Sequence, residues 1–241
     1  MIDRIAELQA KIDAAKKIVF FGGAGVSTES GIPDFRSADG LYNQQWDYPP
    51  ETILSRTFFM RNTAEFYRFC RAKLYISGIE PNPAHYALAK LEEKGKLSAV
   101  ITQNIDGLHQ AAGSKNVIEL HGSIHRNYCM KCHAFYPYEF MAACADVPKC
   151  EKCGGVIKPD VVLYEESLND NDIQLAATRI SQADMLIIGG TSLAVYPAAG
   201  LVNYFRGEEL VIINKGATGG DNRASMLIRE SIGKVFSKLA V

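Results

Sequence analysis

The sequence predicts an α/β protein built on a doubly wound parallel sheet, with a smaller domain attached to it. Short apolar runs alternate with helical segments along the chain, which is typical of a parallel sheet covered by helices on both faces. A glycine-rich turn follows the first apolar run, and polar clusters follow several later ones. Two insertions interrupt this alternation, and we expect them to form the smaller domain.

Six apolar runs are predicted to be core strands, because each is short, rich in branched residues and bounded by polar or glycine positions. They are residues 18–21, 99–101, 117–120, 161–163, 185–188 and 210–213. Before the first run, residues 1–17 space isoleucine and leucine like one face of a helix. Asn82 and Pro83 supply an N-cap and a first-turn proline for a later helix, on which His85 is expected to be a packing or surface histidine.

The two insertions differ in composition. Residues 39–79 are rich in aromatics and have a helical pattern between residues 58 and 75, which predicts a helical lobe. Residues 127–158 contain five of the six cysteines and little aliphatic material. A module that cannot build a core usually needs a metal. The remaining segments are assigned to the large domain, and they are residues 1–38, 80–126 and 159–241.

Four cysteines form two Cys-x-x-Cys pairs separated by 17 residues, a spacing that suits tetrahedral zinc. The pairs are Cys129 with Cys132 and Cys150 with Cys153. Four thiolates leave no open coordination position, so the zinc should be structural. Disulfides are disfavoured, as is His133 as a competing ligand. Cys70 and Cys144 are expected to be plain buried thiols.

The charge balance limits the classes of partner. Twenty-six basic and 27 acidic residues give a formal charge of -1, so the general attraction to nucleic acid or anionic membranes is missing. No segment approaches the roughly 20 apolar residues that span a bilayer. Clustered thiols without an export signal favour a reducing compartment, so a cytoplasmic protein is expected. A monomer is favoured.

The glycine-rich turn at residues 22–27 follows a predicted strand, the context in which glycines let the backbone approach a pyrophosphate. A purely structural turn stays open as an alternative. The dehydrogenase pattern would add a third glycine and an acidic residue about 20 positions later. Residues 41–44 do not supply that acid, so hydride transfer is a poor fit.

Polar clusters at three further strand ends should converge on one crevice, because ligands bind at the carboxyl ends of strands in open α/β sheets. Together with the glycine turn and residues 31–36, the chain resembles the sirtuins, the NAD-dependent protein-lysine deacylases, over almost its whole length. The matching segments are residues 23–27, 31–36, 103–106, 121–122, the four cysteines, 191–192, 195–197 and 213–214. The resemblance implies a Rossmann-type large domain that binds NAD. It also implies that the zinc-ribbon module and the helical lobe form the small domain, with both substrates in the cleft between.

The resemblance implies roles for individual residues. His121 would act as the base that accepts a ribose hydroxyl proton, which suits an imidazole. Asn104 and Asp106 would take part in catalysis. The NAD contacts would be Ala24, Thr28, Phe35, Arg36, Gln103, Ile105, Asp106, Thr191, Ser192, Asn214 and Ile232. The substrate-peptide contacts would be Val161, Leu163, Tyr164 and Val195.

Two departures from the sirtuin pattern bear on the substrate. Glu165 stands where the family usually has glycine, and we hypothesise that the adjacent carboxylates of Glu165 and Glu166 favour peptides with Lys or Arg beside the target. The desuccinylating branch of the family has a Tyr-x-x-Arg motif on the helical lobe, which binds an acidic acyl group. In this chain the arginine after Tyr67 is Arg71, one position later than the motif requires. That residue lies about 100° around a helix from the required face. Deacetylation is therefore expected over desuccinylation.

The expected reaction transfers the acyl group of an acetylated protein lysine to ADP-ribose and releases nicotinamide. Two alternatives remain open. One is mono-ADP-ribosyl transfer to protein, which uses the same cleavage of NAD but a different acceptor. The other is a module that binds zinc and nucleotide without turnover.

Overall fold

A computed structural model of the 241-residue chain describes residues 2–35, 40 and 46–241. The helices over these residues are α1 (Ile2–Ala14), α2 (Pro50–Ile53), α3 (Arg56–Arg61), α4 (Thr63–Lys73), α5 (Pro83–Glu93), α6 (Leu108–Ala111), α7 (Tyr138–Ala143), α8 (Asp170–Ser181) and α9 (Ile232–Phe236). The strands are β1 (Ile18–Gly22), β2 (Leu97–Thr102), β3 (Val117–Glu119), β4 (Gly122–Cys129), β5 (Phe135–Tyr136), β6 (Ile157–Val161), β7 (Met185–Gly189), β8 (Glu209–Ile213) and β9 (Met226–Ile228). Across this part of the chain, no helix has the length and apolar character needed to cross a membrane.

The larger sheet has six strands over the described residues, in the order β3-β2-β1-β7-β8-β9, and its pairs are parallel. Strand β1 lies near the centre, and all five of its residues are buried. Burial on both faces is why such strands are continuous apolar runs in the sequence. The chain order reverses at β1, between β2 on one side and β7 on the other. A doubly wound sheet binds ligands beside such a reversal, at the carboxyl ends of the strands.

Separate apolar cores cover the two faces of this sheet. Alternate residues of β1 point to opposite faces, so Ile18 and Phe20 join one core and Val19 joins the other. The first core also contains residues of α1, α5 and α9, and the second contains residues of α8. Helices on both faces confirm the predicted doubly wound α/β class.

A smaller antiparallel sheet has the strand order β5-β4-β6. Its apolar residues share one core with the helices α2, α3 and α4, so Phe59 and Phe66 belong to the same cluster as Tyr136 and Ile157. The helical lobe and the cysteine-bearing module therefore stabilise each other by sharing this one core. Within the lobe, Asn62 separates α3 from α4, so the helical pattern predicted between residues 58 and 75 corresponds to two helices.

One strand prediction was wrong. The apolar run at residues 161–163 was expected in the parallel sheet, but β6 ends at Val161 and pairs antiparallel with β4 in the small sheet. Strand β6 has alternating burial and contains Pro159, so it is not a continuous apolar run. The apolar run in the sequence instead covers the last residue of β6 and the loop that follows it. Strand β9 was not predicted, because three residues give too short a pattern.

Candidate active site

A cavity of about 1240 Å³ lies at the carboxyl ends of the parallel strands and extends towards the helical lobe and the small sheet. All the predicted catalytic, NAD and peptide residues that the structure describes line it. They are Ala24, Thr28, Phe35, Gln103, Asn104, Ile105, Asp106, His121, Val161, Leu163, Tyr164, Thr191, Ser192, Val195, Asn214 and Ile232. Arg36 lies outside the described residues. The sequence motifs, far apart in the chain, thus share one cleft.

The glycine turn after β1 packs directly against the turn after β7. The backbone N–H of Gly25 donates to the carbonyl of Gly190 at 2.8 Å. A Cβ on Gly25 would lie 2.8 Å from the Cα of Gly190, and one on Gly190 would lie 2.4 Å from the Val26 nitrogen. Gly190 also has a φ of 59°, which favours glycine. Side chains are excluded here, so backbone forms the floor of this part of the cleft.

A hydrogen-bond network joins the glycine turn to the loop after β2. The Ser27 hydroxyl donates to the Asp106 carboxylate at 2.6 Å and accepts from the Asn104 amide at 3.0 Å. The backbone N–H of Leu108 donates to the other Asp106 oxygen at 3.0 Å. Burial raises the pKa of Asp106, and the Ser27 hydrogen bond opposes that effect. Ser27 was not assigned a role from the sequence, since a serine after a glycine turn has many uses.

His121 lies just beyond β3, and its side chain is held in one tautomer. Its Nδ1 is 2.9 Å from the Gln103 carbonyl oxygen, which can only accept, so Nδ1 carries the proton. The Nε2 atom of the neutral ring is then left with a lone pair. Burial lowers the pKa of His121, and the Gln103 carbonyl partly offsets this. Gly122 follows with a φ of 75°, and a Cβ there would lie 1.9 Å from the Asp160 carbonyl oxygen. Only glycine allows this turn.

The opposite end of the cleft is formed by the strand ends of β7 and β8. The Gln103 amide donates to the Thr191 hydroxyl at 3.1 Å, so the two predicted ribose and adenosine residues are in contact. Asn214 donates from its side chain to the Gly216 carbonyl at 3.0 Å. Ile232 is 1% exposed and lies so close to Gly189 that a Cβ on that glycine would meet its Cδ1 at 2.1 Å. Ile232 thus packs against Gly189 and lines the cleft wall at the same time.

The segment after β6 runs along the cleft beside the predicted base. The backbone N–H of Val162 donates to the His121 carbonyl at 3.0 Å. Both adjacent carboxylates of this segment are engaged within the protein. Glu166 accepts from the Leu163 backbone at 2.9 Å and from Lys158 at 3.1 Å, and Glu165 accepts from the Thr57 backbone at 2.9 Å. These contacts give both carboxylates a role within the protein, and the hypothesis that they select basic peptides stays a prediction.

The four paired cysteines form a cluster whose sulfur atoms lie within 4.8 Å of one another. Three of the Sγ–Sγ separations are 3.3, 3.4 and 3.5 Å, far longer than a disulfide bond. Zn–S bonds of about 2.3 Å place tetrahedral sulfurs about 3.8 Å apart, so the cluster fits zinc. The Tyr136 hydroxyl donates to the Cys150 sulfur at 3.2 Å and orients it. None of the four lines the cleft, which agrees with a structural metal.

The other two cysteines lie apart from this cluster. Cys70 is fully buried in the helical lobe, and burial raises its pKa well above the ordinary value. It is the plain buried thiol that was predicted. Cys144 is only half-buried, so that prediction was wrong in part.

The helical-lobe residues that an acidic acyl group would need are committed elsewhere. The Tyr67 hydroxyl is buried and donates to the Ile157 carbonyl. Arg68 lies in the ion pairs with Asp47 and Glu65, and Arg71 donates to the Asp146 carbonyl at 3.1 Å. Neither arginine lines the cleft.

Comparisons with known proteins agree with this arrangement. A model of the Sir2 family matches residues 23–197. An NAD-dependent protein deacetylase of Clostridium perfringens (strain 13 / Type A) is 60% identical over 242 residues, covering 99% of each chain. A Sir2 structure with p53 peptide and NAD⁺ superimposes with a TM-score of 0.85 at 39% identity, covering 97% of this chain and 96% of that one. A Sir2 variant with deacetylated p53 peptide and 3'-O-acetyl-ADP-ribose superimposes with a TM-score of 0.89 at 38% identity, with the same coverage.

Proposed function

The chain belongs to the Sir2 family, and we propose that it is an NAD-dependent protein-lysine deacetylase. It transfers the acetyl group of a modified lysine to ADP-ribose and releases nicotinamide. The Clostridium relative carries this activity in its name, and the two Sir2 structures hold the peptide with the co-substrate or with the acetylated product. The observation that carries the proposal is the free Nε2 lone pair of His121 inside the shared cleft.

NAD supplies an activated bond between nicotinamide and ribose, and the acyl oxygen of the substrate supplies the attacking atom. The protein then has to orient both substrates, exclude water and accept one proton. His121 suits the last task, because its lowered pKa keeps the imidazole neutral at pH 7. We assign it the role of base towards a ribose hydroxyl.

Asn104 and Asp106 are proposed to line the nicotinamide pocket with Ile105. Ser27 holds the first two through hydrogen bonds, so their positions are set before the co-substrate arrives. Phe35, at the cleft, is proposed to shield the reactive carbon. The phosphate and ribose contacts are assigned to Ala24, Thr28, Arg36 and Gln103, and the adenosine contacts to Thr191, Ser192, Asn214 and Ile232. The peptide contacts are assigned to Val161, Leu163, Tyr164 and Val195.

We propose a large domain of residues 1–38, 80–126 and 159–241, a helical lobe of residues 39–79 and a zinc module of residues 127–158. The protein is proposed to work in the cytoplasm, as a monomer, on acetylated proteins, without nucleic acid as a partner. The near-zero formal charge supports the last point.

Nicotinamide release from NAD, measured with and without an acetylated peptide, tests the proposal. We expect release that depends on the peptide and falls at least about 100-fold in His121→Ala, because a positioned base contributes on this order. His133→Asn is the matched control, since it removes an exposed imidazole outside the cleft and asparagine tolerates the φ of 57° there. Binding without turnover would instead give no release and no effect of His121→Ala.

A further inference from the structure

Glu165 has a backbone conformation that glycine would adopt more easily. Its φ is 75°, in the left-handed region, and the turn closes with a hydrogen bond of 3.0 Å from the Glu166 N–H to the Leu163 carbonyl. A residue with a Cβ is disfavoured at such an angle. Glu165 therefore carries a local backbone cost, which a contact of its side chain can offset.

That contact joins the segment to the helical lobe. The Glu165 carboxylate accepts from the backbone N–H of Thr57 at 2.9 Å, in the first turn of α3. The Ser55 hydroxyl already caps the next N–H, that of Phe58, at 3.2 Å. Hydrogen bonds from Thr57 hold the pKa of Glu165 below its ordinary value, and Arg56 and Arg61 add to this. The carboxylate is therefore ionised and directed at the lobe.

Backbone hydrogen bonds reinforce the same junction. Tyr164 donates to the Leu54 carbonyl at 3.0 Å and accepts from the Arg56 N–H at 3.0 Å. On its other side the segment is fixed to the small sheet, where Val161 pairs with Gly122. Residues 161–166 thus bridge the two parts of the small domain along the cleft wall.

We propose that Glu165 is a positioning residue that fastens residues 161–166, which carry most of the proposed peptide contacts, to the first turn of α3. The contact fixes this wall of the cleft before the peptide binds. This inference rests on the proposed function for its kinetic consequence. Strand-type peptide recognition depends on main-chain hydrogen bonds, so the backbone of the segment must be held in place. Loss of the contact should weaken peptide binding and leave the NAD end of the cleft unchanged.

Steady-state kinetics of Glu165→Gly and Glu165→Gln test the proposal. In Glu165→Gly we expect the KM for acetylated peptide to rise about fivefold, because a hydrogen bond to a charged group is lost. Glu165→Gln should give a smaller rise, since its amide oxygen still accepts. The KM for NAD should stay within twofold of wild type. Glu139→Gln is the matched control, because it removes an exposed carboxylate of the first turn of α7 that does not line the cleft.

The rise in KM should be equal for peptides with basic and with neutral residues beside the acetyl-lysine. A rise confined to basic peptides would mean that Glu165 contacts the substrate, and an unchanged peptide KM or an equal rise in the KM for NAD would also overturn the proposal. A merely destabilising change would lower the melting temperature without shifting the peptide KM.

Hydrogen exchange separates this inference from the proposed function, since it needs no activity. The Arg56, Thr57 and Tyr164 amides should exchange about tenfold faster in Glu165→Gly than in wild type. In Glu139→Gln they should not change. Unchanged exchange in Glu165→Gly would refute the contact even if the enzyme is active, whereas absent peptide turnover by wild type would refute the function alone.

Discussion

Two buried histidines behind the glycine turn form an unusual pair. His85 and His109 are 0% and 1% exposed, and their ring centroids are 4.7 Å apart. His85 Nδ1 accepts from the Asn82 N–H at 3.2 Å, completing a capping box at the start of α5. Within the described residues, no protein group bonds His85 Nε2 or either ring nitrogen of His109. His85 is therefore a packing and capping residue, as one of the sequence alternatives held.

Burial lowers the pKa of His85 to about 4 and that of His109 to about 3, where the neighbouring His85 also contributes. The ordinary pKa of a histidine in the unfolded chain is about 6.5. Below pH 6.5 the unfolded state therefore binds protons that the folded state excludes. Stability must fall as the pH drops from 6.5 towards 4.

We expect the free energy of unfolding to fall by about 2 kcal/mol or more between pH 6.5 and 4.5, as followed by urea unfolding. The double variant His85→Gln with His109→Leu should remove most of this slope, because glutamine can still complete the capping box. His133→Asn, which removes an exposed imidazole, should keep it. A double variant as acid-sensitive as wild type would show that other groups cause the effect.

The cysteine module owes its shape to two adjacent glycines with different tasks. Gly154 has a φ of 70° and open space around its Cβ position. A Cβ on Gly155 would lie 2.9 Å from the Cys129 sulfur and 3.0 Å from the Lys131 Cβ. The first glycine is needed for its backbone angle and the second for close packing against a metal ligand.

Gly155→Ala should therefore weaken zinc binding, whereas Gly154→Asn should not, because asparagine adopts left-handed angles. We expect zinc loss to a chelator to be about 10-fold faster or more in Gly155→Ala, as judged from ligand-orienting substitutions at metal sites. Metal analysis and a colorimetric zinc indicator measure it. Equal zinc retention in the two variants would mean that the cluster tolerates the added methyl group.

Elements with a strong local pattern were predictable from the sequence. Strands β1, β2, β7 and β8 are buried apolar runs, and α5 begins at Asn82 and Pro83 as its capping residues indicated. The antiparallel position of β6 was not predictable, because it depends on pairing with β4, more than 20 residues earlier in the chain. Such long-range pairing leaves no local periodicity.

At the scale of the whole molecule, residue identity at the site was easier to predict than the contacts there. The described residues that were predicted for catalysis, NAD binding and peptide binding all line the cleft. The use of Ser27 as a bridge and of Glu165 as an internal contact could not be read from the sequence, because both depend on elements far away in the chain. The hydrogen bond of Tyr67 to the Ile157 carbonyl and the ion pair of Arg68 with Glu65 are likewise visible only in the structure.

The central claim is that the cleft transfers an acetyl group from lysine to ADP-ribose. Mass spectrometry of the products, after incubation of NAD with acetyl- and succinyl-lysine forms of one peptide, tests it most directly. We expect acetyl-ADP-ribose and free lysine from the acetyl form, and at least about tenfold slower turnover of the succinyl form, since no arginine of the described residues lines the cleft to pair its carboxylate. ADP-ribose attached to the peptide, or a preference for the succinyl form, would contradict the claim.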